Sequence, residues 1–523
     1  MNSSVRLDSL TSLRFIAAAL IVVHHSRGYF GIPSDFLLSV PLSQGVSFFF
    51  VLSGFILTYV HPELNSREER GRFLLARIAR IWPAHAATFL LIVILIPFSL
   101  RDHGIGLAIL NLLMLQSWVP VQWSIYSFNG PAWSISTELF FYICFPMLIY
   151  RWKQTWLIKF VLVSIVVLSI LAAVHYFHIP AVVSRKTHLS LLGLVYTNPA
   201  VRIFEFVLGM CIALLYRVTA HRVSTGFVGG TAIEVIALVA VVSSLVYMPL
   251  LAKMLTSQPA FWSAGRTLIE NASCAPAFAL LIGVISLERG FISYCLKLPF
   301  AVLLGEISYS VYMFHEVLIR FIKYKWPAFS DSTMPITFVA FAALLIVIAY
   351  LSWYFIEKPA RKFINGLWPA STSEGAANQR FQLKTILSFH DSFKRLTMHQ
   401  VAIYTLGCLL FAFLVCELIV PSPPSSTKNY TVQWAPEIEA NNIKGEWMAF
   451  GSLARISIAG DNLLKIQNES NLTASGKISG NVLEVAEWGV EAMLSVDRRV
   501  LFWSNGVIWE KSDCGTPNSH LAN

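Results

Sequence analysis

Two ionisable side chains lie in the first apolar stretch of the chain, where an ionisable group costs free energy unless it has a partner or a function. They are Arg14 and His25. A separation of eleven residues is almost a whole number of helical turns, so both would lie on one helix face, roughly 16 Å apart along the axis. An imidazole placed there can accept a proton. The alternative is a snorkelling arginine and a structural histidine.

Two arginines precede the third apolar run, in the order Arg77-Ile-Ala-Arg80. Residues at positions i and i+3 share one helix face, and guanidinium groups suit bidentate binding of phosphate. The pair therefore favours a ligand that carries several phosphates and arrives from the cytoplasm. The alternative is the ordinary excess of basic residues on the cytoplasmic side of a membrane protein.

Further polar side chains fall in the fourth and ninth apolar runs. Glu138 lies within the first two turns of the fourth, where a carboxylate needs a partner. In the ninth, Ser308, Tyr312 and His315 share a helix face, and Tyr309 lies on an adjacent stripe. So many hydrogen-bonding groups predict a polar cavity, with a satisfied structural network as the alternative.

The elements that position these residues are membrane helices. Hydrophobic residues make up 56% of the chain and charged residues 13%, and the mean hydropathy is +0.62. A soluble domain has roughly 45–50% apolar and about 25% charged residues. The long uncharged runs approach the length of about 20 residues that a helix needs to cross hydrocarbon, and they lack the alternation of barrel strands. The fold class is therefore an all-α polytopic membrane protein that lies in the lipid bilayer.

Eleven spans are predicted, at about 8–27, 40–60, 81–100, 133–150, 156–177, 200–216, 228–250, 272–287, 302–323, 334–355 and 400–420. Lysine and arginine in the short loops place the N-terminus in the cytoplasm and the tail outside. The net charge of +10 arises from these loops and does not predict a nucleic-acid partner. The seven cysteines lie mostly in apolar runs without metal-ligand spacing, so no metal site is expected.

The last part of the chain is predicted to be a small all-β domain. Short apolar runs alternate with turn residues, and the Asn-Gly turn before Val507 is a strong hairpin signal. The predicted organisation is a membrane domain over 1–365, a cytoplasmic linker over 366–398, an eleventh span over 399–420 and an extracytoplasmic domain over 421–523. Tryptophans of the β domain can stack on a glycan or form its core; the candidates are Trp488, Trp503 and Trp509.

Six motifs, in order, resemble the acyltransferase-3 family of membrane O-acyltransferases. They are Leu13-Arg14-Phe15 with His25; Gly45-Val-x-x-Phe-Phe-x-Leu-Ser-Gly-Phe55; Arg77-x-x-Arg80-x-x-Pro83; Trp133-Ser-Ile-Ser-x-Glu138; Ser308-Tyr309-Ser310-x-Tyr312-x-x-His315; and Glu357-Lys-Pro359. The resemblance covers about residues 1–365. It implies transfer of an acyl group, usually acetyl, from cytoplasmic acyl-CoA to a hydroxyl of a glycan or glycolipid precursor at the bacterial inner membrane.

The resemblance also implies roles for single residues. His25 matches the family's essential histidine, and Arg14 matches the companion of that histidine. Arg77 and Arg80 match a double-arginine motif that suits the donor, and Glu138 matches the acidic residue of the fourth span. The ninth-span motif is matched by Tyr309, Tyr312 and His315. His25 can act as a general base or carry the acyl group as a nucleophile. Glu138 is a candidate to orient the imidazole.

Two rival functions remain on the sequence alone. A transporter or flippase of a lipid-linked sugar also needs ionisable groups inside the membrane. The halves of the chain show no inverted repeat of hydropathy, and the paired arginines favour phosphate binding over a central gate. A sensor whose outer β domain binds a ligand is the second rival, although no residue of the catalytic motifs is missing.

Overall fold

The computed structural model describes residues 7–33, 40–96, 98–177, 179, 189–220, 225–256, 263–367, 439, 443–449, 452–460, 463–467, 473–479, 482–485, 490–494, 500–503 and 508–511. These residues separate into a helical unit and a smaller strand unit near the end of the chain. The predicted linker over 366–398 and the predicted eleventh span lie almost wholly outside the described residues.

The helical unit contains sixteen α-helices within the described residues. They are α1 (Asp8–His25), α2 (Gly45–Val60), α3 (Arg67–Leu95), α4 (Phe98–Leu112), α5 (Gln122–Ile125), α6 (Trp133–Ile149), α7 (Trp152–Tyr176), α8 (Pro199–Thr219), α9 (Phe227–Thr256), α10 (Ser263–Ala272), α11 (Ala275–Ile285), α12 (Phe291–Leu296), α13 (Pro299–Lys325), α14 (Pro327–Ser330), α15 (Ile336–Ser352) and α16 (Lys358–Gly366). Short 3-10 helices cover Leu42–Gln44, Gln116–Trp118 and Gly130–Ala132, and π-helical turns cover Leu192–Tyr196 and Trp353–Glu357.

Among the described residues, nine helical segments are long and apolar enough to cross a membrane. They are Leu42–Val60, Arg67–Leu95, Gly130–Ile149, Trp152–Tyr176, Leu192–Thr219, Phe227–Ala252, Ala264–Ile285, Pro299–Lys325 and Ile336–Gly366. The first predicted span coincides with α1, an 18-residue helix that packs on α13. The prediction of a polytopic helical membrane protein is confirmed.

The third span begins earlier than predicted, and this corrects the placement of the two arginines. Helix α3 starts at Arg67 because Ser66 and Glu69 form a capping box: the Ser66 hydroxyl accepts from the Glu69 amide, and the Glu69 carboxylate accepts from the Ser66 amide. Arg77 and Arg80 therefore lie inside a helix and not in a loop. The sequence did not predict α4 with its kink at Gly104, where φ is 77°.

Close helix contacts occur at small residues, as the glycines of the second span predict. Helices α2 and α8 touch at Gly54, where a Cβ would overlap the carbonyl oxygen of Phe206. Helices α1 and α13 touch at Gly305, where a Cβ would overlap the carbonyl oxygen of Thr11. The second contact holds the helix that carries His25 against the helix that carries His315.

The strand unit is a closed antiparallel barrel. Its strands are β1 (Gly445–Ala449), β2 (Ser452–Gly460), β3 (Leu463–Gln467), β4 (Thr473–Ser479), β5 (Val482–Val485), β6 (Val490–Leu494), β7 (Val500–Trp503) and β8 (Ile508–Lys511). Each strand pairs with the next, and β1 pairs with β8 at Trp447 and Lys511 to close the barrel. Alternate residues such as Leu464 and Ile466 are buried. The prediction of a small β domain is confirmed, whereas the side chains of Trp488, Trp503 and Trp509 lie outside the described residues.

Candidate functional site

A cavity of about 390 Å³ lies among α1, α2, α3, α6 and α13. Six of the eight predicted site residues line it: Arg14, Arg77, Arg80, Glu138, Tyr309 and Tyr312. The lining also includes Leu7 at the start of α1 and Val60 at the end of α2, so the cavity reaches the end of the helical core where α1 begins. The basic loops predict that this end faces the cytoplasm.

Three arginines face this cavity with few protein partners. Within the residues that the structure describes, Arg14 and Arg80 have no hydrogen-bond or ion-pair partner, and Arg77 lies over the ring of Phe73 at 5.8 Å. The Nε atom of Arg77 is buried without a hydrogen bond. Unpaired cations in a largely apolar core are costly. The cavity is therefore suited to an anionic ligand with several acceptor oxygens.

Glu138 lies on the cavity wall and is held by two hydroxyl groups. Its Oε1 accepts a hydrogen bond of 2.5 Å from Tyr142 and one of 3.2 Å from Ser53. Tyr142 follows Glu138 by four residues and so shares its helix face, a spacing that could have identified it from the sequence. Neither bond of Glu138 leads to His25, which has another partner.

His25 and His315 form a hydrogen-bonded pair. His25 Nδ1 lies 2.8 Å from His315 Nε2, and the two rings stack with centroids 5.0 Å apart. His315 is fully buried, and its Nδ1 lies 2.5 Å from the carbonyl oxygen of Tyr312. The sequence predicted both histidines as site residues but not their contact.

The hydrogen-bond network assigns the tautomers of a neutral pair. A carbonyl oxygen only accepts, so His315 Nδ1 carries the proton and His315 Nε2 is left as an acceptor. His25 Nδ1 must then donate to it. The remaining nitrogen, His25 Nε2, carries a free lone pair and can accept a proton or attack a carbonyl carbon.

The spacing of the two histidines bears on whether they could hold a metal ion. Among the described residues, His25, His315 and Glu316 form one group whose ligand atoms all lie within 4.8 Å of one another. Two nitrogens on one tetrahedral zinc are about 3.3 Å apart, given Zn–N bonds of about 2.0–2.1 Å. The 2.8 Å between the imidazole nitrogens is shorter and fits a shared proton better than a shared metal.

Tyr312 connects the cavity with the histidine pair. Tyr312 lines the cavity, and its hydroxyl is 2.7 Å from the Ser134 hydroxyl and donates to the Pro131 carbonyl at 3.0 Å. Its ring lies 5.7 Å from the ring of His315. The arginine-lined cavity thus ends about one turn of α13 before the histidines.

His61 lies directly after α2, outside the membrane-spanning helices. It lies against the ring of Phe73 at 5.3 Å. Burial, and then the charge of Arg77, lower the pKa of His61 to about 4. This imidazole is therefore neutral at pH 7 and adds no charge to the arginines.

A family profile described as an acyltransferase domain, acyltransferase-3, matches residues 7–355. The chain belongs to this family. The predicted resemblance is confirmed, and the protein is a multi-pass membrane O-acyltransferase. All eight predicted site residues lie within the matched segment of this acyltransferase-3 protein.

Three named relatives support this assignment. The chain is 28% identical to acyltransferase MdmB of Streptomyces mycarofaciens over 403 residues, which are 71% of this chain and 96% of that protein. It is 24% identical to nodulation protein 10 of Rhizobium leguminosarum bv. viciae over 404 residues, 70% of this chain and 96% of that protein. It is 24% identical to peptidoglycan O-acetyltransferase OatA of Listeria monocytogenes over 389 residues, 69% of this chain and 57% of that protein. No solved structure matches the chain.

The acyltransferase-3 domain also contains a buried ion pair that the sequence analysis missed. Arg202 Nε lies 2.7 Å from Glu205 Oε2, and both side chains are 1% exposed. The guanidinium lies against three rings, of which Phe50 is the nearest at 5.2 Å. Because Phe50 lines the cavity, this pair supports the cavity wall. Two opposite charges three residues apart in an apolar run were the available signal.

Proposed function

We propose that the protein is an enzyme of the bacterial inner membrane that moves an acyl group from cytoplasmic acyl-CoA to a hydroxyl of a cell-surface carbohydrate or its lipid-linked precursor. The observation that carries the proposal is that one helical core contains both a cavity suited to an anion and a histidine suited to accept a proton. An arginine-lined cavity ends about one helical turn from a histidine whose Nε2 is free.

The cavity suits the donor because its three arginines, which have no ion-pair partner in the described part of the chain, match a molecule with several phosphates. CoA carries its phosphates at one end and its thioester at the other, so phosphates held by Arg77 and Arg80 would leave the acyl end free to extend deeper. The acyl end would then point toward Tyr312 and the histidine pair. Acetyl is the acyl group proposed, because the related OatA is named as an O-acetyltransferase.

The chain's own residues then supply proton transfer. The acceptor hydroxyl oxygen attacks the thioester carbonyl carbon while its proton passes to His25 Nε2. The carbon–sulfur bond breaks, and the thiolate takes the proton from His25, so the ester and the free thiol are formed and the imidazole is restored. His315 accepts from His25 Nδ1 throughout and keeps the free nitrogen aimed in one direction.

The acceptor is proposed to be a carbohydrate on the opposite side from the donor. The support is the position of His25 at the far end of α1 from Leu7, and the peptidoglycan that the OatA name specifies for that relative. The basic loops favour a cytoplasmic position for the N-terminal end of α1. The acyl group would therefore cross part of the membrane within the protein.

The test uses membrane vesicles of known orientation from cells that make the protein. Isotope-labelled acetyl-CoA, which does not cross the bilayer, is supplied on one face, and label is followed into base-labile esters of glycan. We expect label only when the donor reaches the cytoplasmic face, and only in membranes that contain the protein. Absence of label with acetyl-, propionyl- and succinyl-CoA, together with movement of a lipid-linked sugar across the bilayer, would instead identify a flippase.

A further inference from the structure

Arg361 lies on α16, outside the cavity lining, and reaches the same group of charges. Its Nη2 lies 3.7 Å from Glu357 Oε2. Glu357 accepts a hydrogen bond from Ser310 on α13, and its side chain is 3% exposed. Arg361 itself is 35% exposed. The guanidinium is therefore anchored on one side and accessible on the other.

Two cations of the cavity lie close enough to Arg361 to influence its charge. Arg80, and less strongly Arg77, act electrostatically on Arg361, and α16 packs on α3. Among the described residues, three carboxylates act electrostatically on these arginines: Glu138, Glu306 and Glu357. With Arg14, four arginines therefore face three carboxylates, which leaves an excess of positive charge.

Two of these arginines keep unused donors. Among the side chains that the structure describes, Arg77 and Arg361 each have a buried Nε without a hydrogen-bond partner. A guanidinium presents its donors as a planar fork that matches phosphate oxygens. Neighbouring cations whose hydrogen-bonding capacity the described protein groups satisfy only in part point to a ligand with more than one phosphate.

We infer that Arg361 binds a phosphate of the acyl donor that lies outside the cavity, and that this group is a phosphomonoester dianion such as the 3′-phosphate of CoA. The inference rests on the proposed donor. A volume of about 390 Å³ is near the lower end of the roughly 300–1,000 Å³ of small-molecule sites. The nucleotide end of a molecule as large as CoA would therefore extend past Arg77 and Arg80 to the exposed side of Arg361.

An anionic lipid head group offers the same chemistry. Helix α16 also carries the exposed Lys358, Lys362 and Phe363, a composition typical of a helix at a membrane surface.

The exposed Lys362, next to Arg361 on the same helix, supplies a matched control because its removal deletes the same charge.

The experiment measures transfer by the full chain in nanodiscs that contain only phosphatidylcholine, with acetyl-CoA and with acetyl-dephospho-CoA. We expect Arg361→Gln to raise the KM for acetyl-CoA about tenfold or more, the loss expected for a charged hydrogen bond. The KM for the dephospho donor should change less than about twofold, and kcat should be retained. Lys362→Gln should leave both KM values nearly unchanged, and Arg361→Lys should lie between the native protein and Arg361→Gln.

Three results overturn the inference. An equal rise in KM for both donors would show that Arg361 only supports Glu357. A defect that appears only when anionic phospholipid is added would assign Arg361 to lipid. A native protein that transfers acetyl from neither donor would remove the proposed function together with this inference, whereas the first two results leave the donor site of Arg77 and Arg80 in place.

Discussion

The Nδ1 atom of His25 lies 2.8 Å from the Nε2 atom of His315, although 290 residues separate them along the chain. Because His315 Nδ1 bonds to the Tyr312 carbonyl, the contact leaves His25 Nε2 as the free base. The close packing of α1 on α13 at Gly305 brings the two helices together. From this relationship we propose that His315 positions the imidazole of His25 and that His25 takes part in the chemistry.

Replacement of His315 should slow catalysis without weakening donor binding. His315→Ala removes the acceptor for His25 Nδ1–H, so kcat should fall about a hundredfold to a thousandfold, the lower part of the range that general-base catalysis contributes. The KM for acetyl-CoA should stay near the native value. His315→Gln offers a side-chain oxygen to the same N–H and should recover part of kcat. If the alanine variant instead raised KM and kept kcat, His315 would belong to the donor site.

The cavity arginines should act on donor binding. Arg77→Gln or Arg80→Gln removes a cation that has no ion-pair partner among the described residues, so the KM for acetyl-CoA should rise by about tenfold or more in each variant. Arg72 supplies the control, since it lies on the same helix but is exposed and paired with Glu68 at 2.7 Å. Arg72→Gln should change KM little. Equal effects of the three substitutions would favour a topological role for these arginines.

The Arg202–Glu205 pair should be a determinant of stability. Arg202→Met leaves the Glu205 carboxylate buried without its cation, and loss of one partner of a buried pair costs about 3–5 kcal/mol. The double variant Arg202→Met with Glu205→Met removes both charges and should be more stable than Arg202→Met alone. Thermal unfolding in detergent at fixed protein concentration measures the difference. A double variant less stable than either single variant would mean that the surrounding contacts, such as that with Ser47, matter more than the pair.

The contact of α2 with α8 should not tolerate a side chain at Gly54. A Cβ there meets the backbone of Phe206, which cannot yield as a flexible side chain would. Gly54→Ala should therefore destabilise the protein by about 1–3 kcal/mol or more, the usual cost of overpacking. Gly106 on α4 has open space around it, so Gly106→Ala should be neutral or slightly stabilising. Equal melting temperatures for the two variants would contradict this close approach.

The sequence predicted the membrane helices because their long apolar runs are a local signal. Because Arg77 and Arg80 are three residues apart, a helix at this position predicts that both face the same cavity. The start of α3 was missed because hydropathy ignores the polar first turns, although the Ser66–Glu69 capping box was present in the sequence.

Contacts between distant segments could not be predicted in this way. The sequence offered Glu138 as the partner of His25, whereas the structure pairs His25 with His315 and Glu138 with Tyr142 and Ser53. The sequence did not identify Arg361 as a site residue, because nothing in its own segment shows that α16 packs beside α3. Such pairings depend on helix packing, and a single sequence does not encode packing as a local pattern.

The most direct test of the account compares two adjacent histidines of α1. His24 and His25 are neighbours, with ring centroids 5.2 Å apart, but His25 alone of the two bonds to His315. The initial rate of transfer from labelled acetyl-CoA is measured for the native protein, His25→Gln and His24→Gln, at matched amounts of folded protein. The account predicts that His25→Gln lowers the rate by about a hundredfold or more, whereas His24→Gln retains most of it. Native-like transfer by His25→Gln would contradict the assignment of His25 Nε2 as the base.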